Sequence, residues 1–280
     1  MDIQDNIRVG YRWLGAAGVA LRVDGQTLLI DPYISRLPWH HMFFRCIQPN
    51  RQLVGDTIGI GNHILVSHSH VDHLLDVPVI VDYTGAEVYG SQNTCRLLNI
   101  LGVSASKIHL IGAGNELSCG LFKTVVYPAR HYPIPFFMPG NLDAHLHPPL
   151  TARQYRMDVC FSFLIEADGM RILVDSGRRK FQHVPADVLI INPFYRAGYY
   201  QKQFKAVQPK LVIPNHWDNF MAALFDKKSQ NSYSQDWVSA LIARFLLPRF
   251  RRIVQTYSPG VKIIIPQLFR EIDLSASIAG

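Results

Sequence analysis

The sequence predicts an α/β protein. Short apolar runs bounded by turn signals recur along the chain, as at 64–66, 124–127, 171–174 and 211–214. Segments with helical spacing alternate with them. Side chains able to ligate metal stand where several of the apolar runs stop. Short buried strands interleaved with helices are the pattern of sheets covered by helices.

Residues 9–14, 18–23 and 27–30 read as strands, with Asp24-Gly25 as a hairpin turn and Asp31 closing the third. Residues 33–61 read as a long connection. Its stretch 38–45 mixes aromatic and polar side chains and suits a pocket wall, a membrane contact or core packing alike. The run 64–66 is a buried strand that stops at Ser67, and a helix-like turn ends at 76–78. Residues 87–90 are a strand, and Ser91 caps a helix that Gly102 stops. Two short strands, 107–111 and 116–118, precede the run that leads to His131.

Residues 132–156 break the pattern with five prolines, Phe136, Phe137, Met138, His145 and His147. Because they follow His131 directly, they are expected to overhang the site as a lid or substrate-binding loop. Residues 158–166 and 170–174 pair through Ala167-Asp168-Gly169, and Asp175 ends the second. The segment 186–191 is a buried strand followed by a loop holding Tyr195 and Arg196. A helix over 199–208 and a strand over 211–214 lead to His216. Ser234 caps a helix over 235–247 that Pro248 breaks, and 261–265 is the last strand.

His68, His70, Asp72 and His73 follow one strand within six residues. Imidazole and carboxylate suit Zn²⁺ first, and also Mn²⁺ or Fe²⁺. Adjacent residues such as Asp72 and His73 diverge on most backbones, so the cluster suits two neighbouring metals better than one. A lone histidine is usually no ligand. Here His131, Asp175 and His216 add ligand types at three further strand ends.

This ordered set resembles the metallo-β-lactamase superfamily over about residues 10–220. Trp13-Leu14-Gly15, Asp24-Gly25 and the run 28–32 ending in Asp31-Pro32 look like its first hairpin. They are most similar to the branch holding ascorbate-6-phosphate lactonase and the N-acyl-phosphatidylethanolamine phospholipase D. Ala16 departs from that branch, which often has His there. The resemblance implies a four-layer αββα sandwich built as one domain over 1–280, with an inserted loop at about 132–156. It implies one metal on His68, His70 and His131, a second on Asp72, His73 and His216, and Asp175 as the bridge. Asp31 would orient a ligand from behind, and Asp72 or a nearby group behind the ligands would handle the catalytic proton. Two such metals can share a water and lower its pKa for attack on a carbonyl carbon or phosphorus.

The resemblance leaves the substrate open. The net charge of +7 and the basic residues Arg130, Arg178, Arg179 and Arg196 favour an anionic one, small or lipid-like, and a phosphodiester over the rival lactone. Arg178, Tyr195, Arg196, His145 and His147 are the candidate substrate contacts. Nucleic-acid processing is the third reading; it is disfavoured because the basic residues are scattered and no clamping arm is visible. Hydrophobic content of 48% supports a sizeable core. Cys46, Cys95, Cys119 and Cys160 form no CxxC pair and read as small buried hydrophobes of a reduced compartment. With no signal-like leader and no run of about 20 apolar residues, a cytoplasmic protein is expected, with peripheral membrane contact left open by the basic amphipathic stretch 235–252. The oligomeric state is not legible.

Overall fold

The computed structural model describes residues 8–131, 139–180, 182–222 and 237–279, and the apolar runs fall into two sheets. In the first, β1 (Gly10–Gly15), β2 (Gly18–Val23), β3 (Gln26–Ile30), β4 (His63–Leu65), β5 (Glu87–Gly90) and β6 (Ile108–Leu110) lie side by side in chain order. The second contains β7 (Glu116–Cys119), β8 (Phe122–Arg130), β9 (Cys160–Ala167), β10 (Met170–Asp175), β11 (Arg178–Arg179), β12 (Val188–Ile191), β13 (Leu211–Pro214) and β14 (Lys262–Ile263). Its order is β11-β8-β9-β10-β12-β13-β14, with β7 also pairing with β8. A last strand, β15 (Glu271–Asp273), returns to the first sheet and pairs antiparallel with β1.

Hairpins make the antiparallel half of each sheet, and parallel strands make the rest. Parallel neighbours need crossovers, which helices supply. α1 (Trp39–Phe44) and α2 (Arg51–Thr57) lie between β3 and β4. α3 (Val71–Leu74) and α4 (Val77–Thr84) link β4 to β5, and α5 (Gln92–Ile100) links β5 to β6. α6 (Ala197–Val207) joins β12 to β13, and α7 (Trp237–Tyr257) precedes β14. α8 (Leu274–Ala279) follows β15.

Side-chain alternation assigns the layers. On β3, Leu28 and Ile30 enter the cluster shared by the two sheets, while Leu29 enters the one under α4 and α5. On β10, Ile172 and Val174 face the same shared cluster, while Leu173 packs with Tyr200 and Phe204 of α6 and Phe250 of α7. Strands apolar on both faces must be covered twice. The result is helices, sheet, sheet, helices: the αββα sandwich of the metallo-β-lactamase fold.

Four expectations need correction. The connection 33–61 is not structureless; it holds α1 and α2, the second capped by Asn50, whose side chain accepts from Leu53 N at 3.1 Å. Residues 76–78 begin a helix rather than end one, because Asp76 sits at the N-cap of α4. Pro248 does not break α7, which runs through it. Pro248 and Arg244 are both exposed, so the carbonyl that loses its partner is open to water. β15 was missed, being three residues long with no apolar run to mark it.

The expected lid is also different where it is described. Residues 132–138 lie outside the described residues, but Leu142, Leu146, Leu150 and Tyr155 are buried in the cluster of the first helical layer. Backbone carbonyls at Leu142, Asp143 and Ala144 accept from Arg96 of α5, and those of Gly140 and Arg156 accept from Asn93. This part is a fixed wall of the sandwich rather than a hanging loop.

Phe163 lies at the centre of the shared cluster, fully buried and opposite Val126 and Val174 on the neighbouring strands. Phe163→Ala is expected to lower stability by about 3–5 kcal/mol. A urea titration should show a lower midpoint with an unchanged slope.

Candidate metal centre

The seven ligand-type residues all stand at or just beyond the carboxyl ends of strands. His68, His70, Asp72 and His73 follow β4, His131 follows β8, Asp175 ends β10 and His216 follows β13. β4 belongs to one sheet and β8, β10 and β13 to the other, so the centre forms where the ends of both sheets meet. Two trios emerge. The ligand atoms of His68, His70 and His131 lie within 4.8 Å of one another, and so do those of Asp72, His73 and His216. The trios adjoin, because the His68 ring centroid is 3.8 Å from that of His73. Six of the seven sequence candidates are thereby gathered in the pairing expected.

α3 explains how neighbours in sequence divide between trios. His70 is its N-cap residue, in extended conformation, while Asp72 and His73 are helical. The change of backbone turns His70 towards His131, with ring centroids 4.7 Å apart, and His73 towards His216, 5.4 Å apart.

The rings are oriented from behind. Asp31 Oδ2 lies 3.0 Å from His73 Nδ1 and also accepts from Ser67 Oγ, while Asp31 Oδ1 accepts from Ser67 N. Ser67 Oγ is in turn 3.0 Å from His68 Nδ1, and the Cys160 thiol lies 3.9 Å from the same nitrogen. With Nδ1 engaged on both rings, Nε2 of His68 and Nε2 of His73 are left buried without a hydrogen-bond partner. Buried polar atoms are rarely left so. Nε2 atoms held this way, converging with a carboxylate, fit a divalent cation of the zinc type. Ser67 and Cys160 were not foreseen as parts of the site; Ser67 had only its position between strand and cluster to mark it.

Electrostatics divide the two trios. Burial, together with the neighbouring His73, His70 and His131, pushes the His68 pKa well below the ordinary histidine value. Burial would lower His73 too, but Asp31 and Asp72 outweigh it and its pKa is raised. Asp72 is the reverse: burial would raise its pKa, but the positive charge on His73 and His216 and a bond from His216 hold it below the usual carboxylate range.

Asp175 belongs to neither trio. Its Oδ1 accepts from Ser162 Oγ at 3.0 Å, and its Oδ2 accepts from Tyr199 OH at 3.0 Å and Gln203 Nε2 at 3.1 Å. Burial raises its pKa to about 6, against the opposing pull of Arg179 and the bonds from Tyr199 and Ser162. Tyr199 and Gln203 are one turn apart on α6, a spacing that places both on one face. That pair was legible only as helix.

The candidate substrate contacts do not gather. His145 and His147 are exposed and join neither trio. Arg178 is exposed on β11, where it pairs with Arg130 of β8. Arg196 is exposed at the start of α6. Tyr195 is buried with its ring 4.5 Å from that of Tyr199, in the packing that supports Asp175. A cavity of about 830 Å³ opens beside the first trio instead, lined by His131, Arg130, Leu110, Met157, Val159 and Phe161, among others. Of the basic residues singled out in the sequence, only Arg130 lines it.

A family model described as the beta-lactamase superfamily domain matches residues 26–192, more than half of the chain. The chain belongs to the beta-lactamase superfamily. A UPF0173 metal-dependent hydrolase of Methylocella silvestris is 31% identical over 42% of this chain, and the match spans 46% of that protein's own length. Another of the same description, from Polynucleobacter asymbioticus, is 26% identical over 74% of this chain and 73% of its own. Among solved structures, Igni18, a metallo hydrolase from Ignicoccus hospitalis, superposes with a TM-score of 0.62 at 15% identity, covering 94% of this chain and 97% of its own.

Within this superfamily fold, an internal ion pair carries His216. Arg36 Nη2 lies 2.7 Å from Asp218 Oδ2, with both side chains fully buried. Asp218 also accepts from Ala16 N at 3.0 Å, and the Ala16 carbonyl accepts from His216 N at 3.0 Å and from Trp13 Nε1 at 3.1 Å. Ala16, Arg36 and His216 all have positive φ, so the network holds three uncommon backbone conformations together. Gly15 belongs to it: a Cβ there would meet Arg36 Nη2 at 2.0 Å. Asp218→Ala leaves Arg36 buried without its carboxylate and should lower stability by about 3–5 kcal/mol in chemical denaturation. The double variant Arg36→Met/Asp218→Leu, which removes both charges, should recover much of that loss.

Proposed function

We propose that this protein is a metal-dependent hydrolase with a two-metal centre acting on an anionic substrate that has an apolar part. The observation that carries the reading is the pair of adjoining trios, in which Nε2 of His68 and Nε2 of His73 are buried without a hydrogen bond, the latter 3.5 Å from Asp72 Oδ2 of its own trio. His68, His70 and His131 would hold one ion, and Asp72, His73 and His216 the other. Zinc suits this nitrogen-rich set best, with manganese or iron as the alternatives. When bound, such ions supply Lewis acidity that activates water at neutral pH for attack on a carbonyl carbon or phosphorus.

The chain's own groups do the rest. Asp31 fixes the tautomer of His73 by taking its Nδ1 proton in a hydrogen bond, and Ser67 does the same for His68. Asp72, 3.4 Å from His216 Nε2, is proposed as the group that handles the reaction proton. Asp175 is proposed as the bridging carboxylate. Ser162 leaves Oδ1 a second lone pair for that purpose, while Tyr199 and Gln203 fix the carboxylate plane. Arg130 stands beside His131 in the cavity and would receive a negative charge on the substrate, with Leu110, Val159 and Phe161 accepting the apolar part. That combination favours an anionic substrate with an apolar part, with a phosphodiester as the first choice and a lactone bearing a charged group as the rival.

The test offers one metal-loaded preparation a chromogenic phosphodiester and a panel of lactones. Diester turnover is expected, and Asp175→Ala should lose most of it together with at least one metal per chain. Turnover of lactones alone would replace the phosphodiester reading. Full activity with two metals in Asp175→Ala would remove the bridging role.

Metal occupancy should also depend on pH in two steps. A raised pKa at His73 means that a metal in its trio must displace a proton, so binding there weakens first as pH falls. His68 stays neutral to lower pH and keeps its trio available. Equilibrium dialysis from pH 8 downward should therefore show about two metals per chain falling to about one before both are lost. Substituting His73 should abolish the earlier step alone.

A further inference from the structure

Among the described residues, nothing covers an apolar stripe on α7. Trp237, Leu241 and Phe245 are spaced four residues apart and are 74%, 49% and 64% exposed. That spacing sets them on one face. Ser239, Leu247, Phe250 and Val254 are the buried residues of the helix, and the last two pack with α6 and the second sheet. The packing of α7 is therefore complete without the stripe. Scattered exposed apolar residues are ordinary, but three in line on one helix face point to a partner.

Along α7 itself the charge has one sign. Arg244, Arg249, Arg251 and Arg252 are all exposed on α7, and neither α7 nor the adjacent α6 contains an Asp or Glu. On helical geometry, Arg252 continues the line of the stripe, while Arg244 and Arg249 border it on opposite sides. The Arg244 guanidinium lies 5.7 Å from the centre of the Phe245 ring. Lys202 and Lys205 are exposed on the neighbouring α6.

We propose that this face of α7 docks on an anionic lipid surface. Trp237, Leu241 and Phe245 enter the boundary between headgroups and acyl chains, and the arginines meet lipid phosphates. A narrow apolar stripe edged by cations is the form of a helix that lies in the membrane plane. No described helix is long and apolar enough to cross a membrane, so the contact is peripheral. The apolar end of α7 is also the end beside the metal centre. Ser239 Oγ accepts from Asn219 N at 3.0 Å, three residues beyond His216. Docking would bring the mouth of the centre to the lipid surface, yet the proposal concerns binding alone and stands apart from the reaction assigned above.

The test is co-sedimentation of the full chain with vesicles of phosphatidylcholine containing phosphatidylglycerol, and with vesicles of phosphatidylcholine alone. Binding to the first and not the second is expected, weakening as salt is raised. Arg251→Gln/Arg252→Gln should lower partitioning about 25-fold, roughly fivefold per arginine. Leu241→Gln/Phe245→Gln should lower it at least tenfold. All variants should keep the parent melting temperature and metal content. No binding by the parent protein, or binding by both double variants as strong as the parent's, would overturn the proposal. So would a concentration-dependent dimer abolished by Leu241→Gln/Phe245→Gln, which would assign the face to a second copy of the chain.

Discussion

Five imidazoles and one carboxylate packed into one buried corner are the constraint around which the molecule is arranged. Left to themselves, such groups repel when protonated and lose solvation when buried. Such rings are better tolerated when one nitrogen is satisfied by the protein, and in the proposed centre a cation would take the other. The protein meets the first half of that condition in a short chain of bonds. Asp31 and Ser67, at the ends of neighbouring parallel strands, together engage Nδ1 of both His73 and His68. Because that chain spans β3 and β4, the register of the first sheet sets the orientation of the rings.

The two-sheet sandwich follows from the same requirement. No single strand end could surround the proposed metal pair, and the His68–His73 cluster after β4 accordingly meets His131 after β8 and His216 after β13 in the opposing sheet. The shared apolar cluster holds those ends at a fixed distance. The Arg36–Asp218 pair adds a polar brace inside the structure. It fixes the turn after β1 to the loop of His216, and so couples the first sheet to the far trio. Buried ion pairs seldom stabilise a fold relative to apolar packing. Here Asp218 also accepts from Ala16 N, and the Ala16 carbonyl accepts from His216 N, both residues having positive φ, which sets the value of the pair in positioning rather than in net stability.

Much of this was legible in the sequence. His68, His70, Asp72 and His73 are local, and their density after an apolar run carries the signal by itself. His131, Asp175 and His216 were picked out because each follows or ends a strand-like run, whereas the role of Asp31 came only from the family resemblance. What was not legible is long-range. Arg36 and Asp218 are 182 residues apart, and no pattern links them. Tyr199 and Gln203 read as an ordinary helix because their partner, Asp175, lies on another strand. The prolines at 148 and 149 suggested a lid, but Leu142, Leu146 and Leu150 commit that segment to the core, a pattern too irregular for either helical or strand periodicity to expose. Pro248 suggested a helix end for a sound local reason, and the solvent at its position removed the penalty.

The central claim is that two cations sit side by side on the two trios. Anomalous diffraction from crystals of the zinc-loaded protein tests it most directly. The account predicts two adjacent peaks, one bonded to His68, His70 and His131, the other to Asp72, His73 and His216. A single peak shared by both trios, or zinc bound elsewhere with Nε2 of His68 and Nε2 of His73 unligated, would contradict it.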